Sequence, residues 1–474
     1  MAPGVFPAAG RKRIGLSGGR VGKLDHLLGF SLLGFLFYAI LDKAHGNNRV
    51  RASGSLESYE VSRSLPVKIA IFHDLPSGGA KRALHAFCHE LSRRGHHLDL
   101  FMPETANEVF LPLAPFLTSV HVFPLSGARK SAEHHPAVRT PTAWFMAGRC
   151  HRGMAEAIDR GKYDLVFAHQ ARYPNIPGVL KYLKTPTVLY LQEPNRLLYE
   201  TAVSDSFGES KTSLRQRIRN NPLIGPPLFS FIHRKMEDQN NIRHAHTVLA
   251  NSYYSRESIL RVYGISATVV YLGVDTALFR PMNLQREQLV LAIGAVHPSK
   301  GHRFLIDSVG RISANRRPKV MIIADREKAG EKELLMRMAA DQGVALIIQS
   351  VTDDELVRCY NRAAIVAVLA HLEPFGFTPL EAMACETPVI GIREGGIRES
   401  VINGKTGFLL DRDPEACADA LVKLLDDESL RAEMGRAGRC QVESHWTWSQ
   451  ATDRLERVFE KVRFKTRDSL TPKI

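Results

Sequence analysis

The chain is 474 residues long, 44% hydrophobic, and carries a formal charge of +14. That length calls for at least two domains. The six cysteines (Cys88, Cys150, Cys359, Cys385, Cys417, Cys440) are scattered without a CxxC pair, which speaks against a disulfide framework or a zinc site and suits a reducing compartment. A basic surface fits an anionic substrate or an anionic membrane. Nucleic acid is the competing partner, but no helix-turn-helix, zinc knuckle or aromatic-interleaved basic stretch supports it.

In chain order, residues 1–65 stand apart as a basic N-terminal extension, with nine Lys/Arg against four Asp/Glu. Arg11-Lys12-Arg13, Arg20 and Lys23 precede an uncharged run, Leu27–Leu41. Fifteen residues of helix span only about 22 Å, short of the roughly 30 Å hydrocarbon core. Asp42-Lys43 follows at once with no small-x-small cleavage site, unlike a signal peptide. Two readings stay open: an interfacial helix or weak signal anchor, and a disordered or non-native extension.

From Pro66 the pattern is α/β. Val67–Phe72 reads as a buried strand, Pro76-Ser77-Gly78-Gly79 as a turn, and Ala80–Arg93 as a helix with Leu84, Phe87, Cys88 and Leu91 on one face. Leu98–Phe101, Leu165–Ala168, Thr187–Leu191 and Thr247–Ala250 continue the strands. The opening unit is Rossmann-like, yet the G-x-G-x-x-G fingerprint is missing, which removes the main support for a nicotinamide or flavin. Between these strands, Lys211–Lys235 has six Lys/Arg, no acid and an apolar middle. It reads as a solvated basic face beside a buried loop, or as an amphipathic surface for anionic lipid. Residues 274–287 read as a linker. A second β/α series then runs through Gln288–Gly294, Val320–Asp325, Val344–Gln349, Ala364–Leu369 and Pro388–Ile392. Residues 449–463 form a last helix. The expected fold is α/β: two Rossmann-like, doubly wound domains (66–273 and 288–448) facing a central cleft, closed by 449–474.

The chemistry concentrates in residues 371–408. Glu373-Pro-Phe-Gly376-Phe377-Thr378-Pro-Leu-Glu381 puts two carboxylates around a glycine loop that opens a helix, and Gly395-Gly396-Ile-Arg-Glu399 follows the next strand. Helix-start N–H groups meet anions, and fixed carboxylates accept from sugar hydroxyls. Thr378-Pro379-Leu380-Glu381 equally reads as a capping box with proline at the first helical position. Asp411-Arg-Asp413 looks like a metal-binding DxD, but Pro414-Glu415 after it makes Asp413 an N-cap.

This segment resembles the retaining glycosyltransferases of family four, whose fold is GT-B and whose hallmark is Glu, seven residues, Glu, matched by Glu373 and Glu381. The likeness covers about residues 66–463. It implies a metal-independent transfer from a nucleotide-diphosphate sugar, without a cofactor, to a glycan or lipid-linked acceptor at the cytoplasmic membrane face. Residues 11–41 and 211–235 are the candidate membrane contacts. Carried over residue by residue, Glu373 contacts the donor sugar and Glu381 the ribose. Gly376, Phe377 and Thr378 offer N–H groups, Lys300 meets the diphosphate and Val351 brackets the base. Gly78 and Gly79 belong to the family's first glycine-rich loop, Gly78-Gly79-Ala80-Lys81-Arg82, which faces the cleft. The resemblance also implies that the last helix crosses back onto the first domain.

Two departures matter. Ala295 stands where the family usually has Arg, removing a phosphate contact of about 1.5–3 kcal/mol, with His302, Arg303 and Arg326 as possible stand-ins. Gln192 stands where the family often has His; it hydrogen-bonds a hydroxyl but carries no proton at neutral pH. Glu193, Arg196 and His169 are the acceptor-side candidates, His169 also reading as a satisfied structural histidine. A nucleotide-sugar epimerase and a non-catalytic nucleotide-sugar-binding protein are the rival readings.

Overall fold

The computed structural model describes residues 66–125, 141–171, 175–199 and 226–470. The N-terminal extension and residues 211–225, and with them most of the expected membrane contacts, lie outside the described residues.

The first sheet has seven parallel strands: β1 (Lys68–Asp74), β2 (His97–Pro103), β3 (Ser119–Phe123), β4 (Leu165–Ala171), β5 (Thr187–Tyr190), β6 (Thr247–Ala250) and β7 (Thr268–Val269), in the order β3-β2-β1-β4-β5-β6-β7. The second has six parallel strands: β8 (Glu287–Ile293), β9 (Lys319–Ile323), β10 (Leu346–Gln349), β11 (Ala363–Val368), β12 (Val389–Ile392) and β13 (Gly407–Leu410), in the order β10-β9-β8-β11-β12-β13. Both are doubly wound Rossmann-like sheets, as the alternating pattern predicts.

Burial explains the continuous apolar strands. In β1, Ile69 and Ile71 enter one core while Ala70 and Phe72 enter another on the opposite face. A sheet covered by helices on both faces needs apolar residues at every position. In β8, Leu289 and Leu291 join the same core as Ile69 and Ile71, so the two sheets share packed interior. The helix Gly79–Arg93 buries Leu84, Phe87, Cys88 and Leu91 completely.

The chain passes between the sheets twice, and aromatic packing fixes both passages. Val274 N–H donates to the Trp446 carbonyl at 2.7 Å, and the Trp446 ring lies 4.9 Å from Tyr271 and 5.9 Å from Phe375. The last helix, Trp448–Leu470, returns to the first sheet. There Arg94 holds Asp453 at 2.6 Å, His96 holds Glu456 at 2.7 Å, and Phe459 meets Phe167 edge-on.

Candidate active site

Ligands of open parallel sheets bind at the carboxyl ends of the strands. Here the ends of β1, β4, β5 and β6 face the loop after β11 across a cavity of about 670 Å³. Its first wall carries Gly79, Gln170, Asn175, Gln192, Glu193 and Arg196, and its second wall runs from Glu373 to Phe377. Gly79 closes one edge: a Cβ there would lie 3.4 Å from the Phe377 ring.

Glu373 is held by its own main chain and by a cation. The Gly396 N–H donates to the Glu373 carbonyl at 2.8 Å. At Gly395, φ is +61° and a Cβ would come within 2.3 Å of that same carbonyl oxygen, so only glycine allows the approach. Lys300 Nζ donates to Glu373 Oε2 at 2.7 Å. Lys300 is brought there by Gly301, at φ +76°, where a Cβ would strike the Leu369 carbonyl.

Glu381 faces elsewhere. It is 4% exposed and helps line a second cavity of about 690 Å³ with Arg82, Asp353 and Phe377. Its carboxylate accepts from the Tyr360 hydroxyl at 2.6 Å and from Arg82 at 3.2 Å. Burial raises its pKa, against the pull of Arg82 and Tyr360. The two glutamates thus serve separate cavities with Phe377 between them. The capping-box reading is corrected: the helix spans Phe377–Ala384 with Gly376 as its N-cap and no side-chain cap bond, so Thr378 lies inside the first turn. The Glu381 side chain is drawn away to Tyr360 and Arg82.

The first glycine-rich loop is also corrected in one part. Lys81 is fully enclosed and pairs with Glu108 instead of reaching the cleft. Burial disfavours charge on Glu108, yet hydrogen bonds from His73, the Leu113 N–H and Lys81 bring its carboxyl down to about 2. Gly78, at φ +144°, lies against the second domain: a Cβ there would sit 3.9 Å from the Arg326 guanidinium.

Around Ala295, two of the three stand-ins are occupied. His302 Nε2 lies 3.1 Å from the Ala295 carbonyl and is 3% exposed. Arg303 forks onto Glu331 at 2.8 and 2.5 Å. Arg326 differs: its carbonyl accepts from the Val296 N–H at 2.8 Å, setting it beside Ala295, and its guanidinium is largely exposed with Asp325 3.6 Å away.

On the first wall, Gln192 is 9% exposed and lines the cavity. Arg196 lines it too, but donates to the carbonyls of His371 at 3.2 Å and Leu372, and to Glu193 at 2.7 Å, clasping the opposite loop. His169 is a correction. It is fully buried, stacked on Tyr190 at 5.5 Å, and lines neither cavity. Strand β4 runs on to Ala171, so His169 lies inside it and not at its end. Nor is it a satisfied histidine, since neither ring nitrogen has a partner; burial lowers its pKa well below the usual value. Val351 is half-buried against the shared core and lines neither cavity. Asp413 caps its helix, accepting from the Glu415 N–H at 3.1 Å.

Sequence reasoning missed several contacts that join the walls. Glu399 accepts from the N–H groups of Tyr253 and Tyr254, both at 2.9 Å, and from the Tyr271 hydroxyl at 2.8 Å. Ser252 donates to the Pro374 carbonyl at 2.5 Å. It also missed the Asn251 and Asn175 carboxamides. Polar residues just past strand ends are the signal that could have found them.

Two parallel Rossmann-like sheets facing a cleft, with a lysine-held glutamate on a glycine-closed loop, define a GT-B glycosyltransferase. The family model for glycosyl transferases group 1 matches residues 276–441, and that for glycosyltransferase family 4 matches 77–278. The chain belongs to the group 1 glycosyltransferases, and is an enzyme of that class. A D-inositol 3-phosphate glycosyltransferase of Corynebacterium diphtheriae is 25% identical over 81% of this chain and 90% of its own length. That of Corynebacterium efficiens is 25% identical, covering 81% and 91%. Among solved structures, sucrose-phosphate synthase of Thermosynechococcus elongatus superposes with a TM-score of 0.65 at 19% identity, covering 84% of this chain and all of that one. Anabaena HepE in complex with UDP gives 0.60 at 17%, covering 83% and 100%.

Proposed function

We propose that this glycosyltransferase is retaining and metal-independent, and that it moves a sugar from a nucleotide-diphosphate sugar to a hydroxyl of a glycan or lipid-linked acceptor. One observation carries the reading: Glu373, held on Lys300, projects from a glycine-closed loop into the first cavity, while Glu381 serves the second. Two fixed carboxylates in adjoining cavities suit two hydroxyl-bearing units joined by phosphate, a sugar at Glu373 and a ribose at Glu381. The Arg82 contact on Glu381 would yield to that ribose. UDP in the HepE complex supports a nucleotide donor.

Lys300 and Arg326 neutralise the leaving diphosphate, aided by the N–H groups of Gly376, Phe377 and Thr378 at a helix start. In the transfer, the bond from the sugar's anomeric carbon to the diphosphate oxygen breaks and its electron pair leaves with the phosphate. The acceptor oxygen bonds to the same face of that carbon. Gln192 cannot take the proton, so it passes to a donor phosphate oxygen. Glu373 stabilises positive charge developing on the sugar ring.

We place the reaction at the cytoplasmic face of a membrane. Supporting this, the helix Pro226–Asn241 exposes Ile232 and Met236 near Lys235, the combination of apolar and basic groups that interfaces attract. Among the described residues no helix is long and apolar enough to cross a membrane.

The test is nucleoside-diphosphate release by the full chain from UDP-, GDP- and ADP-sugars, with and without a membrane-lipid extract. Release from one donor, rising with the extract and unaffected by EDTA, is expected. Conversion of the donor to an isomer would establish epimerase chemistry instead. Donor binding without release would leave a binding protein.

A further inference from the structure

Three strands, β11, β12 and β13, lie side by side in the second sheet, and the Glu373 loop leaves from the end of β11. Two residues past β13 comes Arg412, the middle residue of the run that looks like a metal-binding DxD. Its side chain is largely buried, with the guanidinium carbon 5.6 Å from the centre of the Phe304 ring. The guanidinium forks onto Glu394, at 3.1 and 2.9 Å. It also donates to the carbonyls of Leu369 at 3.1 Å and Ala370 at 3.3 Å, the first two residues after β11. The next two carbonyls accept from Arg196, which follows β5 in the first sheet: His371 at 3.2 Å, then Leu372. Four successive carbonyls ahead of Glu373 thus rest on two guanidinium groups, one from each side of the cleft.

Leu372 needs that support. It stands at φ +48°, the left-handed region that a leucine rarely adopts, and it immediately precedes Glu373. A strained residue persists only where its surroundings impose the conformation. Here both of its main-chain polar groups are engaged: the N–H donates to Glu394, the partner of Arg412, and the carbonyl accepts from Arg196. Burial disfavours charge on Glu394, yet Arg412, His371 and the Leu372 N–H hold its carboxyl below the usual range. An ionised Glu394 keeps both the arginine and the amide. One residue earlier, the His371 N–H donates to the Ser299 carbonyl at 2.9 Å, beside Lys300. Gly395 and Gly396 press on the carbonyls of Glu373 and Pro374, so the turn that carries Glu373 is fixed from both ends.

We infer that Arg412 and Arg196 are positioning residues for Glu373: together they hold Leu372 in its left-handed conformation, and that turn aims the Glu373 carboxylate at Lys300 and into the first cavity. The inference rests on the reading of Glu373 as the group that meets the donor sugar. Arg412 acts from within the second domain. Arg196 acts from the first, so the turn is complete only while the loop after β5 stays across the cleft. In this role Arg196 supports the opposite loop and not the acceptor, the side to which the sequence assigned it.

Hydrogen–deuterium exchange and kinetics on the full chain test the two parts separately. In Arg412→Met and in Arg196→Met, the amides of residues 371–376 should exchange about tenfold faster, while the strand amides keep their wild-type rates. Kinetics are read as nucleoside-diphosphate release from UDP-, GDP- and ADP-glucose with a membrane-lipid extract. Arg412→Met should lower kcat about 30-fold and leave the donor KM within about twofold. Combined with Glu373→Gln, it should give the kcat of Glu373→Gln alone, because both act through one carboxylate. Leu372→Gly is the sharper check. Glycine takes a positive φ without steric cost, so in the Arg412→Met background it should raise kcat about fivefold; Leu372→Asn, which also tolerates that region, is the second such variant. Arg412→Lys keeps the charge but cannot fork across Glu394 and two carbonyls, and replaces Arg412→Met, with the same outcomes expected, if that variant unfolds. Unchanged exchange in both arginine variants overturns the inference. So do losses that multiply with Glu373→Gln, and so does a kcat that neither replacement of Leu372 restores; a merely structural arginine gives those results with a lower melting temperature. If the wild type releases no nucleoside diphosphate from any donor, the transferase reading fails, and the exchange arm still decides whether the two arginines hold the loop.

Discussion

The wall that carries Glu373 is held by close packing of main chain on main chain, with Gly395 and Gly396 pressed on the Glu373 and Pro374 carbonyls and one ion pair to Lys300. The facing wall is held by side-chain relays through Ser255, Asn251, Gln192, Gln170 and Asn175. Backbone packing fixes a position but leaves little to adjust, which suits a carboxylate that must meet developing charge. Carboxamide relays hold side chains in place while allowing one residue to be exchanged for another. Under the proposed function, the first kind of wall suits the donor sugar's chemistry and the second suits contacts to the acceptor.

The largest effects should come from breaking the Glu373 wall. Glu373→Gln preserves size and removes the charge, and is expected to lower kcat by about 10²–10³-fold, measured as nucleoside-diphosphate release at saturating donor and acceptor. Full retained activity would remove Glu373 from the mechanism. Gly395→Ala tests the packing itself. A Cβ within 2.3 Å of the Glu373 carbonyl, at φ +61°, must shift the loop, so kcat should fall by roughly 30-fold with a melting temperature a few degrees lower. A mutant that melts lower yet keeps its kcat would show that the loop's position is not critical.

Next comes the diphosphate end. Arg326→Ala should raise the donor KM about tenfold, equivalent to about 1.4 kcal/mol, and leave the acceptor KM alone. Arg303→Ala should do neither to donor binding, because Arg303 is spent on Glu331. If the two variants exchange these phenotypes, the cation that replaces an arginine at position 295 has been misassigned.

The same contrast decides what the sequence disclosed. Glu373, Pro374, Phe375, Gly376 and Phe377 are consecutive in the wall they form, which therefore follows from a local motif. The other wall is assembled from the ends of β4, β5 and β6, with members from Gln170 to Ser255, so no window of sequence contains it; Gly79, Gln192, Glu193 and Arg196 stood out, while Gln170, Asn175 and Asn251 did not. Strand β3 was missed because its middle residues are exposed and its run is short. His169 was misplaced by three residues of extra strand, and Thr378 by a cap pattern that a glycine start and the Tyr360 contact override. Both errors have one origin: local pattern sets the element, while neighbours distant in sequence set its ends and the direction of each side chain.

The smallest effect probes the relay at its hidden end. Ser255 is fully buried and lines neither cavity, and its hydroxyl is hydrogen-bonded to both the Asn251 side chain at 2.7 Å and the Ser252 hydroxyl at 3.1 Å. Ser255→Ala should leave Asn251 less firmly held, and with it the Gln192 side chain that lines the first cavity. The acceptor KM should then rise about two- to threefold, with donor KM and kcat unchanged and stability lower by about 1 kcal/mol. A purely structural serine would give the stability loss without the KM change. Combining Ser255→Ala with Gln192→Met separates these outcomes. If Ser255 acts through Gln192, the double variant has the acceptor KM of Gln192→Met alone; if it acts independently, the two increases multiply.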